Sequence, residues 1–209
     1  VVAMTAPPEN FEFHRGYLYG MGSVLSSSGL FRTSNSYPYS SSNAWKNREV
    51  ETNLELIEPD GERGFNVVAG IKIFGGWGSR GYPQKSFAVF ARRKYGFGKI
   101  RYQLFPDQDV HDFETFVLRQ SGNDNQSTHL TYPRSEIRAF GPAKSYGSYF
   151  VNGNFTLFRD AMLGSLGKEL GLDTQGYRPA VVYLNGKYWG IYNIREKLNE
   201  HYLESHFGV

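Results

Sequence analysis

A glycine-rich run followed by a lysine is the part of the sequence best suited to chemistry. Residues 75–83 read GGWGSRGYP, and Lys85 follows after one further residue. Glycine lets backbone N–H groups approach a ligand closely or converge on an anion. The run matches neither the P-loop nor the dinucleotide-binding pattern, so taken alone it is a weak phosphate signal, and a plain turn is the competing interpretation.

Lys85 lies in a stretch with the alternation of a strand. Lys85, Phe87 and Val89 share one face, and Ser86 and Ala88 share the other. A lysine held in this way beside a glycine-rich loop is how kinases place an ammonium against nucleotide phosphates. The alternative is an edge lysine whose stem packs past Phe87 while the ammonium reaches solvent.

Composition narrows the class of protein. A chain of 209 residues is long enough for one domain with a substantial core, and its 16% aromatic residues and 24 glycines favour sheets and long loops. The absence of cysteine excludes disulfides and thiolate metal sites. The net charge of +3 does not by itself indicate nucleic acid. No apolar run approaches the roughly 20 residues of a membrane span.

Two charged clusters allow a functional and a plain interpretation. Basic residues gather at 92–94, Lys99 and Arg101, where a solvated strand end competes with a contact to phosphate or to a polymer. Acidic residues and one histidine gather between Asp107 and Asp112. Their spacing does not fit a calcium loop, so a solvated turn is favoured and we assign no metal there.

Strand and turn signals predict a mainly antiparallel sheet. Residues 50–57 and 65–74 flank a turn at 59–61, and residues 181–184 and 187–194 flank Asn185-Gly186, the dipeptide typical of a type I′ hairpin. A charged link, Arg195-Glu196-Lys197, then leads into a segment with helical spacing.

Other segments set the predicted domain organisation. Residues 1–48 are expected to be an irregular N-terminal extension with a Ser-rich loop at 23–43, and residues 125–154 a loop insertion. A helix is predicted from Phe155 to Leu170, capped by Asn154 and stopped by Gly171. The domain proper is expected to span residues 49–209.

Four runs of the sequence resemble a known family. They are GGWGSRGYPQKSFAVFARRKYG at 75–96, FVLRQSGND at 116–124, FRDAML at 158–163 and VVYLNGKYWGIYNIREKLNEHY at 181–202. In this order they resemble the spore-coat-protein-H (CotH) kinase-like family, over roughly residues 65–207. The implied fold class is α+β, a twisted antiparallel sheet with the helix from Phe155 packed on one face, similar to the N-terminal lobe of an atypical protein kinase.

The resemblance also implies a nucleotide site. Its predicted residues are Gly75, Gly76, Ser79, Arg80, Lys85, Asp160 and Glu196. Lys85 would contact the phosphates under the glycine-rich loop, and Glu196 would lie beside the adenine. Asp160, or failing that Glu169, would orient the Lys85 ammonium, whereas the competing interpretation is a helix-surface carboxylate paired with a local base.

The resemblance further implies what the intact protein does. ATP and magnesium are the expected cofactors for phosphoryl transfer, and a protein substrate or a cell-surface partner is expected. The family's catalytic and metal-binding segment follows the helical segment that begins after Lys197. No catalytic or metal residue is therefore assigned here, and these 209 residues alone are expected to be inactive. The alternative is a non-catalytic module that binds protein or polysaccharide through aromatic side chains. An extracellular or cell-surface location is expected, with no nucleic-acid partner and no membrane span.

Overall fold

The computed structural model describes residues 1–12, 15–20, 39–82, 84–122, 124 and 156–209. The strands are β1 (Val2–Thr5), β2 (Val50–Ile57), β3 (Arg63–Ile73), β4 (Phe87–Phe90), β5 (Ile100–Arg101), β6 (Asp112–Phe113), β7 (Thr115–Arg119), β8 (Tyr177–Leu184) and β9 (Lys187–Glu196). The helices are α1 (Trp77–Gly81), α2 (Arg159–Glu169) and α3 (Glu200–Phe207), with 3-10 turns at Pro8–Asn10 and Asn43–Trp45.

Seven strands form a closed barrel in the order β1-β2-β3-β4-β7-β9-β8. Neighbouring strands are antiparallel except at the seam, where β1 and β8 run parallel with Val2 opposite Val182 and Met4 opposite Leu184. Strands β5 and β6 form a separate two-stranded ribbon. Pairing all the way round satisfies the backbone groups that an open sheet would leave at its edges.

The barrel interior follows from the alternation of each strand. In β2, Thr52, Leu54 and Leu56 are buried, while Glu51 and Asn53 are exposed. A strand with one face inward reads in this way, because successive side chains point to opposite faces. The same pattern brings side chains from every barrel strand into one core: Val2, Met4, Leu54, Leu56, Ile71, Ile73, Phe87, Val89, Phe116, Leu118, Val182, Leu184, Tyr192 and Ile194.

The expected α+β fold is wrong. The protein is mostly β, and its sheet closes on itself instead of lying open under a packed helix, so the likeness to a kinase N-terminal lobe is overturned. Helix α2 begins at Arg159 and buries Ala161, whereas its apolar residues Met162, Leu163 and Leu166 are exposed. The inner face of the sheet is covered by its own opposite strands, since a barrel packs its interior with side chains from all round the wall.

Both predicted hairpins are present. Strands β2 and β3 pair around the turn at 58–62, and β8 and β9 pair around Asn185-Gly186. Asn185 and Gly186 have φ of 50° and 76°, the two positive values that a type I′ turn requires. The Asn185 side chain also accepts a hydrogen bond from the Ala6 N–H at 3.0 Å, which fastens the turn to the end of β1.

The N-terminal residues take part in the barrel. Strand β1 supplies the seam, and Leu18 and Tyr19 lie in the core. Three expectations fall outside the described residues: most of the Ser-rich loop, the insertion at 125–154 and the Asn154 cap.

Candidate functional site

The glycine-rich run folds into a compact turn around Arg80. Gly75 has φ of 104°, and a Cβ there would lie 2.5 Å from the Ser79 Cβ, so only glycine fits. The Arg80 guanidinium donates to the carbonyls of Gly75 and Ala44, both at 2.6 Å, and stacks 5.3 Å from the Trp45 ring centroid. Arg80 therefore ties the run to the 3-10 turn at Asn43–Trp45.

Lys85 is buried directly behind this turn. The residue is only 4% exposed, and its Nζ donates to the carbonyls of Arg80 at 2.7 Å and Tyr82 at 2.8 Å. The ammonium lies 5.1 Å from the Tyr19 ring centroid, a cation–π contact. Among the described residues no carboxylate lies within 4.0 Å of it. In this geometry Lys85 caps the carbonyl end of α1.

Burial without an acidic partner perturbs this amine. Desolvation lowers the pKa of Lys85 from its ordinary 10.5 to about 7, because the charged form has lost its hydration. Between these two values the unfolded chain binds a proton that the folded chain does not. Burial of the charged amine therefore lowers the free energy of unfolding by its full amount below pH 7. This loss of stability diminishes as the pH rises from about 7 towards 10.5.

Replacing Lys85 with methionine should remove this pH dependence. As the pH rises from 7 to 9.5, we expect the free energy of unfolding of the native protein to increase relative to that of Lys85→Met. The increase should be at most about 1.4 kcal/mol per pH unit. Urea denaturation of both proteins at several pH values measures the difference. Parallel profiles for the two proteins would show that Lys85 titrates normally in the fold.

Asp160 lies on the outside of the barrel. Its carboxylate pairs with Arg119 on β7 and Arg195 on β9, each at 3.1 Å, and so attaches α2 to the wall. Glu169 is exposed at the end of the same helix. The Asp160 carboxylate is thus occupied by two arginines, which come from strands and not from its own helix.

Glu196 is also committed to structural contacts. It is 3% exposed, and its carboxylate accepts hydrogen bonds from the Gly176 N–H at 2.7 Å and from Gln108 at 3.0 Å. His206 on α3 lies 2.7 Å from the other oxygen. Glu196 thus locks the end of β9 to the helix that follows.

Five of the seven predicted site residues form one group, and the two acids lie apart from it and from each other. Gly75, Gly76, Ser79, Arg80 and Lys85 come together in one turn. Glu196 pairs with Phe116, whereas Phe87, just after Lys85, pairs with Leu118. This register places Glu196 several residues along the wall from Lys85, at the other end of the barrel, and Asp160 lies outside it.

A cleft of about 580 Å³ opens at that other end. Its walls come from the segment after β4, the starts of β5 and β7, and the link between β9 and α3. Five cationic side chains line it: Arg92, Arg93, Lys99, Arg101 and Lys197. Two carboxylates, Glu114 and Glu200, line it as well. The cleft therefore carries a surplus of positive charge.

Part of this charge is balanced locally. Arg92 donates to Glu49 at 3.0 Å, and Glu114 lies 4.0 Å from Lys99 and 2.9 Å from His201. In the part of the chain that the structure describes, Arg93, Arg101 and Lys197 have no carboxylate within ion-pair distance. These three cations have charge available for a ligand.

The sequence carried part of this signal. The basic cluster at 92–101 was one of its two ambiguous charged groups, with phosphate contact as one interpretation. Lys197 was missed, because its place in the cleft depends on pairing of β9 with β7 and of β7 with β4. Local sequence pattern does not reveal such long-range register.

The family model described as CotH kinase protein matches residues 151–209. These residues are therefore similar to the CotH family. The match confirms the family resemblance for the part that contains α2, the β8–β9 hairpin and α3. It also includes the Lys197–His201 wall of the cleft. No curated protein matches the chain.

The described residues contain neither a metal cluster nor a helix that could span a membrane. Within them, no three His, Asp or Glu side chains converge in a way that could hold a metal ion. None of the helices in those ranges has the length and apolar character needed to cross a bilayer.

Proposed function

We propose that this chain supplies the nucleotide-binding cleft of a CotH phosphotransferase, and that the basic cleft receives the phosphates of a nucleoside triphosphate. The observation that carries the proposal is a cleft of about 580 Å³ in which five cationic side chains face two carboxylates. Clefts of roughly 300–1,000 Å³ are typical of small-molecule sites. The family described as a kinase supports phosphoryl transfer as the role of the intact protein.

The unpaired cations suit this ligand. Arg93 and Arg101 offer guanidinium groups that match phosphate oxygens in pairs, while Lys197 offers a compact point charge. The cleft also adjoins the link after β9, the segment expected to lie beside the adenine. Glu196 itself contributes by holding that link in place, because its carboxylate is occupied by other contacts.

The cleft is a better site for phosphate than the turn at 75–85. The Lys85 ammonium is buried and already donates to two carbonyls, and the Arg80 guanidinium donates to two more. Phosphate could reach either group only after these contacts broke. Arg101 is exposed and needs no such rearrangement.

Magnesium belongs to the proposal only at the level of the intact protein. The phosphoryl group transferred by a kinase needs its charge neutralised, and a metal ion commonly does this. The described residues provide no cluster suited to hold it, so we assign neither a magnesium ligand nor a catalytic base to them. An extracellular or cell-surface location and a protein substrate are likewise proposals drawn from the family.

Charge reversal in the cleft tests the proposal. We expect ATP, titrated calorimetrically with and without magnesium, to bind the native chain and to bind Arg101→Glu and Lys197→Glu at least about tenfold more weakly, since each change removes a charge-assisted contact and adds repulsion. Lys187→Glu is the matched control, because Lys187 is exposed at the opposite end of β9. Lys85→Met should leave ATP affinity unchanged.

Two results would contradict the proposal. In one, ATP affinity falls in Lys85→Met and is unaffected by the cleft variants, which would move the nucleotide to the turn at 75–85. In the other, the native chain does not bind ATP but binds a polysaccharide. That outcome would favour the non-catalytic module, for which Tyr183 and Tyr188, exposed and 6.0 Å apart between ring centroids, are candidate contacts.

A further inference from the structure

One aromatic ring in the wall of the basic cleft is almost entirely in water. Phe97 is 96% exposed, more than any other large hydrophobic residue among those described. It lies between Gly96 and Gly98 in the segment that joins β4 to β5, and it lines the same cleft as the five cations. Exposing a phenylalanine forgoes the stabilisation that its burial would give, so its position calls for an explanation.

The backbone next to Phe97 has a conformation that favours glycine. Gly98 has φ of 79°, a conformation that side chains resist, and a Cβ there would come within 3.1 Å of the Arg93 Cγ. The Arg93 side chain thus packs against the Gly98 backbone beside the ring. Among the described residues Phe97 has no aromatic or cation–π partner, whereas Phe90 in the same cleft lies 4.7 Å from the Arg92 guanidinium. The face of the Phe97 ring is therefore free.

We propose that Phe97 is the residue on which a nucleobase stacks when the cationic side chains of the cleft hold the phosphates. This inference rests on the proposed function and names the side chain that contacts the face of the base. Stacking of a base on an aromatic side chain is worth about 1–3 kcal/mol, equivalent to roughly 5- to 150-fold in affinity.

The positive charge of the cleft and the small area of its apolar surface favour a base over an apolar protein partner. The other apolar residues lining the cleft, Phe90 and Ala91, are only partly exposed, and the remainder of the wall is polar or charged. A single ring surrounded by cations fits a ligand with one flat aromatic group and several negative charges. An apolar protein anchor would need a continuous patch, which the lining lacks.

Comparison of two ligands separates the base from the phosphates. We expect Phe97→Ala to weaken ATP binding at least fivefold in calorimetric titrations while the affinity for inorganic tripolyphosphate stays within about twofold of the native value. Phe97→Trp should retain or strengthen ATP binding, and its indole fluorescence should respond to ATP but not to tripolyphosphate. Lys197→Glu should weaken both ligands.

Each outcome decides the matter. If Phe97→Ala leaves ATP affinity unchanged while Lys197→Glu weakens both ligands, Phe97 is not the base contact and the cleft remains a phosphate site. If neither ligand binds the native protein, or if Lys197→Glu weakens neither, the proposed function and this inference fall together. Equal weakening of ATP and tripolyphosphate in Phe97→Ala, with an unchanged melting temperature, would also overturn base stacking.

Discussion

Phe87→Ala is expected to lower the free energy of unfolding by about 3–5 kcal/mol, the largest effect that we predict for a single substitution. Phe87 is fully buried in the barrel and lies 6.1 Å, between ring centroids, from both Tyr19 and Tyr192. Truncation removes its contacts with β9 and with the N-terminal segment, and it leaves a cavity that the closed wall cannot easily fill.

Phe97→Ala is the matched control, since it removes the same ring from an exposed position. Its free energy of unfolding should stay within about 0.5 kcal/mol of the native value. Chemical denaturation followed by circular dichroism measures both variants. Similar losses in the two would show that Phe87 does not lie inside a well-packed barrel.

Glu196→Leu should lower the free energy of unfolding by about 3 kcal/mol or more. The change leaves the buried Gly176 N–H without its acceptor and removes the partner of His206, so the link between β9 and α3 loses its fastening. Glu196→Gln should recover part of the loss, because an amide oxygen can still accept from Gly176.

Glu200→Leu is the matched control for Glu196→Leu. Its side chain is 79% exposed on the first turn of α3, so we expect a change within about 0.5 kcal/mol. Thermal and urea denaturation should rank the variants Glu200→Leu, Glu196→Gln and Glu196→Leu in order of decreasing stability. Equal stability of the two leucine variants would contradict a structural role for the Glu196 carboxylate.

Local patterns in the sequence predicted local structure well. Asn185-Gly186 predicted a tight hairpin, and the alternation of residues 50–57 predicted a strand with one face inward. These features depend on turn preferences and side-chain period, both of which act within a few residues. The closure of the barrel could not be predicted in the same way, because β1 has only four residues and pairs with a strand nearly the whole chain away.

The candidate site shows the same division. The sequence placed Lys85 beside the glycine-rich turn, and the structure keeps them together. The partner of the ammonium was expected to be Asp160, but the carbonyls of Arg80 and Tyr82 occupy it, and Asp160 pairs with two arginines. Which charge meets which is decided by tertiary packing. The basic residues at 92–101 form a cleft only because the fold brings Lys197 next to them.

The parallel seam between β1 and β8 has a consequence for how the protein is made. During synthesis Val2–Thr5 leaves the ribosome well before β8, and one of its two partner strands is completed only when Leu184 has emerged. Until then β1 can pair only with β2, and the wall stays open. Contacts this distant in sequence form slowly and leave strand edges exposed in the meantime. Strand β1 is thus fixed late although it is synthesised well before β8, and the unfinished wall is the stage at which a nascent chain would depend most on protection from aggregation.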